Sequence, residues 1–177
     1  MDAVSKQINV TLREHGVAAI EVADNGAGVL PRDFGTLATR YATSKLTSFE
    51  GLTDVQSFGF RGEALASLCA LSNFEVLTRH ASVDTGSALV YDRNGSLSTC
   101  QVRARGVGTT VVAKDLFAPL PVRRRDFERN AKKHYAKALR VLHAYGIVAR
   151  HARLRVTNVT AKSKTQALTV RAGRSLR

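Results

Sequence analysis

The chain has 177 residues, enough for one domain with a hydrophobic core, and we expect a single domain over residues 1–177. With 44% apolar and 23% charged residues and no apolar run near the roughly 18 residues of a membrane span, the composition excludes a disordered tail and a membrane protein and predicts a soluble intracellular one. The first 100 residues hold 8 Lys or Arg against 11 Asp or Glu, whereas the rest hold 19 against 3, which predicts a polyanion as partner.

The first predicted elements are two strands. Ile8, Val10 and Leu12 alternate with polar residues, and extended character resumes at residues 19–22 after Gly16. This pattern predicts a hairpin that ends at Asp24.

Glycines interrupt the sequence repeatedly from residue 24 to residue 62, so we expect a long loop region with one or two short helices there.

A helix is predicted to open at Gly62, with Leu65, Leu68 and Cys69 on one face. Four strand-like runs follow, with Asn94-Gly95 as a hairpin turn, and they predict a meander of antiparallel strands. The runs cover residues 74–78, 87–92, 97–103 and 109–114.

The C-terminal part predicts one long amphipathic helix that begins after Pro119 and Pro121 and ends near Gly146. Two more strands, at 154–157 and 167–170, flank a polar turn. The apolar positions that predict the helix recur at spacings of three and four: Phe127, Ala131, Tyr135, Ala138, Leu142 and Tyr145.

The two cysteines, Cys69 and Cys100, have neither a C-x-x-C spacing nor a histidine cluster beside them. The expected state is therefore two reduced, partly buried thiols, with neither a disulfide framework nor a zinc site.

The first candidate site is the segment Asp24-Asn25-Gly26-Ala27-Gly28 at the end of a predicted strand. A carboxylate there can accept a hydrogen bond from an exocyclic amine such as that of adenine, and the glycines permit a tight backbone turn. A plain turn without a ligand has the same composition.

The second candidate is a glycine-containing loop that runs into the predicted helix, Gly59-Phe60-Arg61-Gly62-Glu63-Ala64-Leu65. Free N–H groups and the helix dipole at a helix N-terminus attract phosphate. A helix entry without a ligand is the alternative. The sequence of this segment matches neither a Walker A loop nor a Rossmann fingerprint.

Two shorter segments complete the set. Thr43, Ser44 and Lys45 carry two hydroxyls and an amine suited to a phosphate tail, although any surface loop can hold such residues. Thr109, in Gly108-Thr109-Thr110-Val111, offers a hydroxyl to the carboxylate or its water, although threonine is also a common strand former.

The four segments together, in chain order, resemble the GHKL ATPase superfamily. The sequence of the third, residues 59–65, resembles MutL-type DNA mismatch repair proteins. Residues 67–72, 120–127 and 141–145 look most like the eukaryotic post-meiotic segregation type. The resemblance covers essentially the whole chain. It implies an α+β fold, the GHKL (Bergerat) sandwich, in which a mixed, mostly antiparallel sheet carries helices on one face.

The resemblance also implies that the chain binds ATP with Mg²⁺. It assigns adenine recognition to Asp24, with Thr109 in support, and assigns Thr43, Ser44 and Lys45 to the ATP lid. The implied ATP-binding residues are Asp24, Asn25, Gly26, Gly28, Thr43, Ser44, Lys45, Gly59, Phe60, Arg61, Gly62, Glu63, Ala64, Leu65 and Thr109.

One family motif has no full counterpart. In MutL proteins an upstream helix ending Asn-Ser-x-Asp-Ala supplies the glutamate base and the magnesium-binding asparagine, and here only Met1-Asp2-Ala3 matches its end. We therefore expect no catalytic base and no metal ligand among these residues, and impaired hydrolysis. The family's S5-like subdomain, its dimerisation domain and the endonuclease site of some members also have no counterpart.

The resemblance implies that DNA is bound through its phosphates, with a MutL-homologue subunit and MutS-type recognition proteins as partners and the nucleus as location. The basic residues singled out for DNA are Arg123, Arg124, Arg125, Lys132 and Lys133. Three alternatives remain: a merely solvated basic surface, a nucleic-acid-binding fragment without productive ATP binding, and a truncated product that does not fold.

Overall fold

The structure is a computed structural model that describes residues 5–41, 62–148 and 151–173. The described residues form one eight-stranded sheet with the order β5-β4-β3-β6-β2-β1-β7-β8. The strands are β1 (Gln7–Arg13), β2 (Ala19–Asp24), β3 (Asn73–Arg79), β4 (Ser87–Tyr91), β5 (Leu97–Val102), β6 (Gly108–Lys114), β7 (Arg153–Val159) and β8 (Lys164–Val170). The α-helices are α1 (Ala64–Leu71), α2 (Pro121–Arg129) and α3 (Ala131–Val148), and short 3-10 turns cover Glu14–Gly16 and Pro31–Asp33.

The sheet is mixed, as predicted: β1 and β7 run parallel, and the other neighbouring strands are antiparallel. Residues opposite each other in the register share one face of a sheet. On that basis Phe74 and Val76, which pack with α1, lie on the same face as Val10 and Val156, which pack with α3. Helices α1 and α3 therefore cover the same face, and the predicted sandwich is confirmed.

The helix layer is thin over the middle of the sheet. One register row runs across this face through Leu89, Val76, Val111, Val22, Val10, Val156 and Leu168. Val76 is 1% and Val10 6% exposed, but Val22 between them is 38% exposed. The two apolar clusters thus lie under α1 and α3, and no helix among the described residues covers β2 between them.

The predicted hairpin at the start is confirmed as β1 and β2, which pair from Ile8–Asp24 to Arg13–Ala19. The predicted meander is right for β3, β4 and β5 but wrong for β6, which returns to pair with β3 and also joins β2. This is the Greek key order. The strand-like composition predicted that β6 is a strand but could not predict its neighbour, because pairing depends on contacts distant in sequence.

The single long helix predicted for the C-terminal part is wrong, because α2 and α3 are separated at Asn130. The Asn130 amide donates to the Asp126 carbonyl at 3.1 Å and to the Asp126 carboxylate at 3.0 Å. Asparagine side chains compete in this way with the helical hydrogen-bond pattern. The turn therefore ends α2 and restarts the chain as α3.

The buried face of α3 also differs from the predicted one. Tyr135, Leu139 and Leu142 pack against the sheet cluster, whereas Tyr145, predicted on the same face, is 42% exposed. Gly146 does not end the helix: a Cβ there would lie 2.7 Å from Val170 Cγ2, so this glycine permits close contact of α3 with β8.

Both cysteines are free, as expected, but their burial differs. Cys69 is buried on the sheet-facing side of α1, and burial, with the charge of Asp92, raises the pKa of its thiol to about 11. Cys100 lies exposed on the edge strand β5, so the expectation that it is partly buried was wrong. In the described part of the chain, no helix is both long and apolar enough to cross a membrane.

Candidate functional site

The candidate site is built on the end of β2, where the strand delivers Asp24. Because Asp24 pairs with Ile8, its side chain lies on the helix-bearing face. Its Oδ1 accepts a hydrogen bond from the Gly26 N–H at 2.7 Å, which closes a tight Asx turn. The predicted turn therefore exists, and it fixes the carboxylate at the end of the central strand β2, where no described residue hydrogen-bonds its other oxygen.

Asn25 joins this turn to β1. Its Oδ1 accepts hydrogen bonds from the N–H groups of Lys6 at 3.0 Å and Gln7 at 2.8 Å. Both bonds use the amide oxygen, so Asn25 has a structural contact beside the predicted ligand contact. The contact holds the turn against the first residues of β1.

A threonine that the sequence did not single out lies at the centre of the site. Thr78, at 0% exposure on β3, has its hydroxyl 3.1 Å from the Gly108 carbonyl and 3.1 Å from the Thr109 hydroxyl, and it accepts from the Val29 N–H at 3.0 Å. It therefore links β3, β6 and the loop that follows Asp24. Nothing in the local sequence Leu-Thr-Arg distinguishes Thr78 from an ordinary strand threonine.

Two glycines allow the backbone segments of the site to approach each other. Gly28 has a φ of +80°, and a Cβ there would lie 2.0 Å from the Arg79 carbonyl oxygen. Gly108 has a φ of +126°, and its Cβ would lie 2.3 Å from the Asp24 carbonyl oxygen. A side chain fits neither place, since positive φ and steric overlap both oppose it.

The predicted phosphate-binding segment is only partly described. Gly62 has a φ of +62° and leads through Glu63 into α1, whose first turn receives no side-chain cap from Glu63. N–H groups at an uncapped helix start can bind an anion. Ala64 and Leu65 lie in this first turn, and Leu65 also packs into the core. No hydrogen bond among the described residues joins residues 62–65 to the Asp24 turn.

Some predicted residues lie outside the described part of the chain. These are Thr43, Ser44 and Lys45 of the implied lid, and Gly59, Phe60 and Arg61 of the phosphate segment. Within the described ranges, no group of three or more His, Cys, Asp or Glu side chains is placed to hold a metal ion.

The basic residues predicted for DNA occupy α2 and the start of α3, and they differ in their partners. Arg124 is held by Glu128 at 2.6 Å and Asp115 at 3.4 Å, and these hydrogen bonds raise the pKa of its guanidinium. Arg123 lies 5.6 Å from the centre of the Phe117 ring. Of these five residues, Arg125, Lys132 and Lys133 are exposed and have neither an ion pair nor a ring contact with another described residue.

The two lysines border a cleft of about 520 Å³ between the β1–β2 turn and the junction of α2 with α3. Glu14 and His15 line the side of the turn, and Glu128 and Arg129 line the side of the helices. Asp24 ends β2, whereas this turn precedes β2. The basic cleft and the Asp24 site therefore lie toward opposite ends of the same strand.

Comparison with known proteins gives the family. The family model described as "Histidine kinase-, DNA gyrase B-, and HSP90-like ATPase" matches residues 1–103, more than half of the chain. The chain belongs to this family of ATPases. The match contains the Asp24 turn and the start of α1, and the predicted GHKL membership is confirmed.

The relatives agree with the predicted MutL type. The chain is 46% identical to mismatch repair endonuclease PMS2 of Homo sapiens over 94% of its own length and 19% of that protein. It is 37% identical to DNA mismatch repair protein PMS1 of Saccharomyces cerevisiae over 93% of its length and 19% of that protein. The chain thus spans about a fifth of these curated relatives.

Solved structures agree as well. The crystal structure of the N-terminal domain of a DNA repair protein matches with a TM-score of 0.84 at 34% identity, covering 98% of this GHKL chain and 50% of the other. The Aquifex aeolicus MutL ATPase domain complexed with ADP has a TM-score of 0.68 at 21% identity, covering 98% and 59%. The second likeness supports the fold alone.

The glycine contacts give the first prediction. Gly28→Ala places a methyl group 2.0 Å from a carbonyl oxygen at positive φ, so we expect the free energy of unfolding to fall by more than about 1 kcal/mol. Urea unfolding followed by circular dichroism measures this. Gly106→Ala is the matched control, because a Cβ there meets nothing within 4 Å. Equal stability of the two variants would contradict the packing described for Gly28.

Proposed function

We propose that this GHKL domain binds ATP as the nucleotide-switched part of a MutL-type mismatch repair protein that also binds DNA without sequence specificity. The observation that carries the proposal is the Asp24 carboxylate, which the Gly26 N–H fixes at the end of β2 and which the contact of buried Thr78 with half-buried Thr109 supports. Family membership and the MutL-type relatives support the same assignment.

In the proposed complex, the free oxygen of Asp24 accepts a hydrogen bond from the exocyclic amine of adenine. A carboxylate can only accept here, so it favours adenine, whose C6 carries a donor, over guanine, whose C6 carries an oxygen. Thr109 lies beside it on the same face and offers its hydroxyl to the base or to a water. Gly26 and Gly28 shape the pocket beside the base, and Gly28 does so by letting the loop after Asp24 lie against the Arg79 carbonyl.

The phosphates are proposed to lie at the start of α1 and to be contacted by residues 59–65 and by the lid residues Thr43, Ser44 and Lys45. The uncapped first turn of α1 fits an anionic group. The asparagine of the family's Asn-Ser-x-Asp-Ala helix would hold Mg²⁺. When bound, the ion neutralises phosphate charge.

The catalytic base is proposed to come from the family's Asn-Ser-x-Asp-Ala helix, which these 177 residues match only at Met1-Asp2-Ala3. The partly exposed Val22, between the clusters under α1 and α3, is apolar surface that such a helix would cover. In this proposal the helix packs over β2 and brings its glutamate toward the phosphates.

We further propose that the basic face of α2 and α3 binds the phosphate backbone of DNA, and that the domain works with a partner MutL-homologue subunit and MutS-type proteins in the nucleus. The support for DNA binding is the three exposed cations Arg125, Lys132 and Lys133. Arg124 contributes less in this view, because two carboxylates already neutralise its charge. The relatives' names support the link to mismatch repair.

The nucleotide proposal is tested by Asp24→Asn. The amide keeps an acceptor for the Gly26 N–H but offers a poorer match to adenine, so we expect the Kd for ADP, measured by titration calorimetry, to rise at least about tenfold. Asp84→Asn, at an exposed position, is the control and should leave the Kd unchanged. Unchanged affinity in Asp24→Asn would contradict adenine recognition by Asp24.

Hydrolysis is expected to be negligible in the 177-residue chain even where ADP binds. General-base catalysis is typically worth about 10² to 10⁴ in rate, and the magnesium ligand adds to this. The measurement is phosphate release at saturating ATP and Mg²⁺, with a relative that contains the full Asn-Ser-x-Asp-Ala helix as control. Turnover equal to that relative would show that the base lies within these residues.

The DNA proposal is tested by replacing Arg125, Lys132 and Lys133 together with Gln. Removing one cation that binds a phosphate should reduce the slope of log K against log salt by about 1, so the triple variant should bind more weakly and show a slope smaller by about 2 to 3. Fluorescence anisotropy with a labelled duplex measures both quantities. Replacing Lys162, Lys164 and Arg171 with Gln removes the same charge elsewhere on the surface.

Equal effects of these two triple variants would mean that net charge, and not a defined face, attracts DNA. A salt-sensitive DNA affinity that ADP and ATP leave unchanged would favour the alternative function, a nucleic-acid-binding fragment without a nucleotide switch.

A further inference from the structure

The loop between β5 and β6 brings one arginine against the Asp24 turn. Arg105 is half-buried, and its Nη2 donates to the Thr110 hydroxyl at 2.8 Å and to the backbone carbonyl of Asp24 at 3.3 Å. Its Nη1 donates to the Gly106 carbonyl at 3.1 Å. One planar guanidinium thus joins its own loop, β6 and the last residue of β2.

Arg105 reaches Asp24 from the sheet face opposite to the one that bears the carboxylate. Thr110 pairs with Ala23, one residue before Asp24, so the Thr110 side chain lies on the sheet face opposite to that of Asp24. The Asp24 carboxylate is therefore held on one side by the Gly26 N–H, while its carbonyl is held on the other by Arg105.

The loop geometry keeps Arg105 in place. The Arg103 N–H donates to the Gly86 carbonyl at 2.8 Å, and a Cβ at Gly86 would lie 3.0 Å from Arg105 Cβ, so the loop packs against the residue that precedes β4. Burial lowers the pKa of the Arg105 guanidinium, and the charge of Asp24 opposes this. Arginine nevertheless remains charged in proteins, and its fork can donate to several acceptors at once.

We propose that Arg105 is a positioning residue of the nucleotide site, which sets the adenine preference by fixing the backbone from which the Asp24 carboxylate projects. The inference rests on the proposed function, because it assumes that Asp24 reads the base. Arg105 itself does not touch the nucleotide in this proposal. Its effect passes through the Asp24 carbonyl and the Thr110 hydroxyl.

A positioning role differs from simple attraction of the phosphates in what it does to base selectivity. A shift of Asp24 weakens the contact with adenine but leaves the diphosphate contacts as they were. Loss of a positive charge weakens every nucleotide alike. The ratio of the Kd for GDP to the Kd for ADP therefore distinguishes the two roles, and a general loss of stability does not raise or lower it in one direction.

The experiment measures the Kd of ADP and of GDP for the 177-residue chain and its variants by titration calorimetry. In Arg105→Gln we expect the Kd for ADP to rise about tenfold, the effect of one hydrogen bond to a charged group, while the Kd for GDP changes little. Arg105→Lys, which keeps the charge but not the fork, should lose most of the same preference. Thr110→Val should show a smaller loss in the same direction.

Arg103→Gln is the matched control, because it removes the same charge from an exposed side chain two residues away. It should leave the ratio unchanged. If Arg105→Gln weakens ADP and GDP equally, as Arg103→Gln does, or if Arg105→Lys keeps the full preference, the positioning role is wrong. Thermal melts identify variants that unfold, and Thr110→Val and Arg105→Lys test the role if Arg105→Gln does not fold.

The Kd values of ADP and GDP for the unsubstituted chain test the proposed function separately from the role of Arg105. If the unsubstituted chain binds neither nucleotide, or binds ADP and GDP equally, adenine recognition by Asp24 is contradicted. The proposed role of Arg105 is then contradicted as well. A chain that prefers ADP and keeps that preference in Arg105→Gln contradicts only the inference about Arg105.

Discussion

The site depends on the close approach of β6 to the end of β2. Gly108 places its backbone where a Cβ would lie 2.3 Å from the Asp24 carbonyl oxygen, and the Thr78 hydroxyl closes the arrangement between Gly108, Thr109 and the Val29 N–H. A buried hydroxyl is stable only when its hydrogen bonds are made. These contacts hold β3, β6 and the loop after Asp24 together, and they thereby restrict the movement of the Asp24 carboxylate.

The same sheet separates the two proposed activities in space. The Asp24 turn ends β2, and the basic cleft lies beside the turn that precedes it, so roughly six strand residues, about 20 Å, separate them. Arg124 is held in ion pairs that dock α2 on the segment after β6, while its basic neighbours remain exposed. One part of the arginine-rich sequence is thus structural, and the other faces solvent.

Local pattern was sufficient for most of the elements. Alternation in β1 and strand-like runs bounded by turn residues elsewhere predicted all eight strands. Pattern failed where the outcome depends on distant partners or on one side chain. The return of β6 to β3 is a choice among neighbours far apart in sequence, and the division of the long helix depends on the Asn130 amide bonding to Asp126. The contact of α3 with β8 is equally distant in sequence, and it places Gly146 rather than Tyr145 against the sheet.

The sequence by itself determined the family and the identity of the base-reading candidate, because the motif residues stand in a fixed order that composition alone does not produce. The fold class followed from that resemblance. Only the tertiary structure decided what supports Asp24. Thr78 lies 54 residues and Arg105 lies 81 residues from it, and neither has a local signature, since a threonine in a strand and an arginine in a loop are ordinary. Their roles come from register and loop packing, which place a hydroxyl and a guanidinium within hydrogen-bond distance only after the whole sheet has formed.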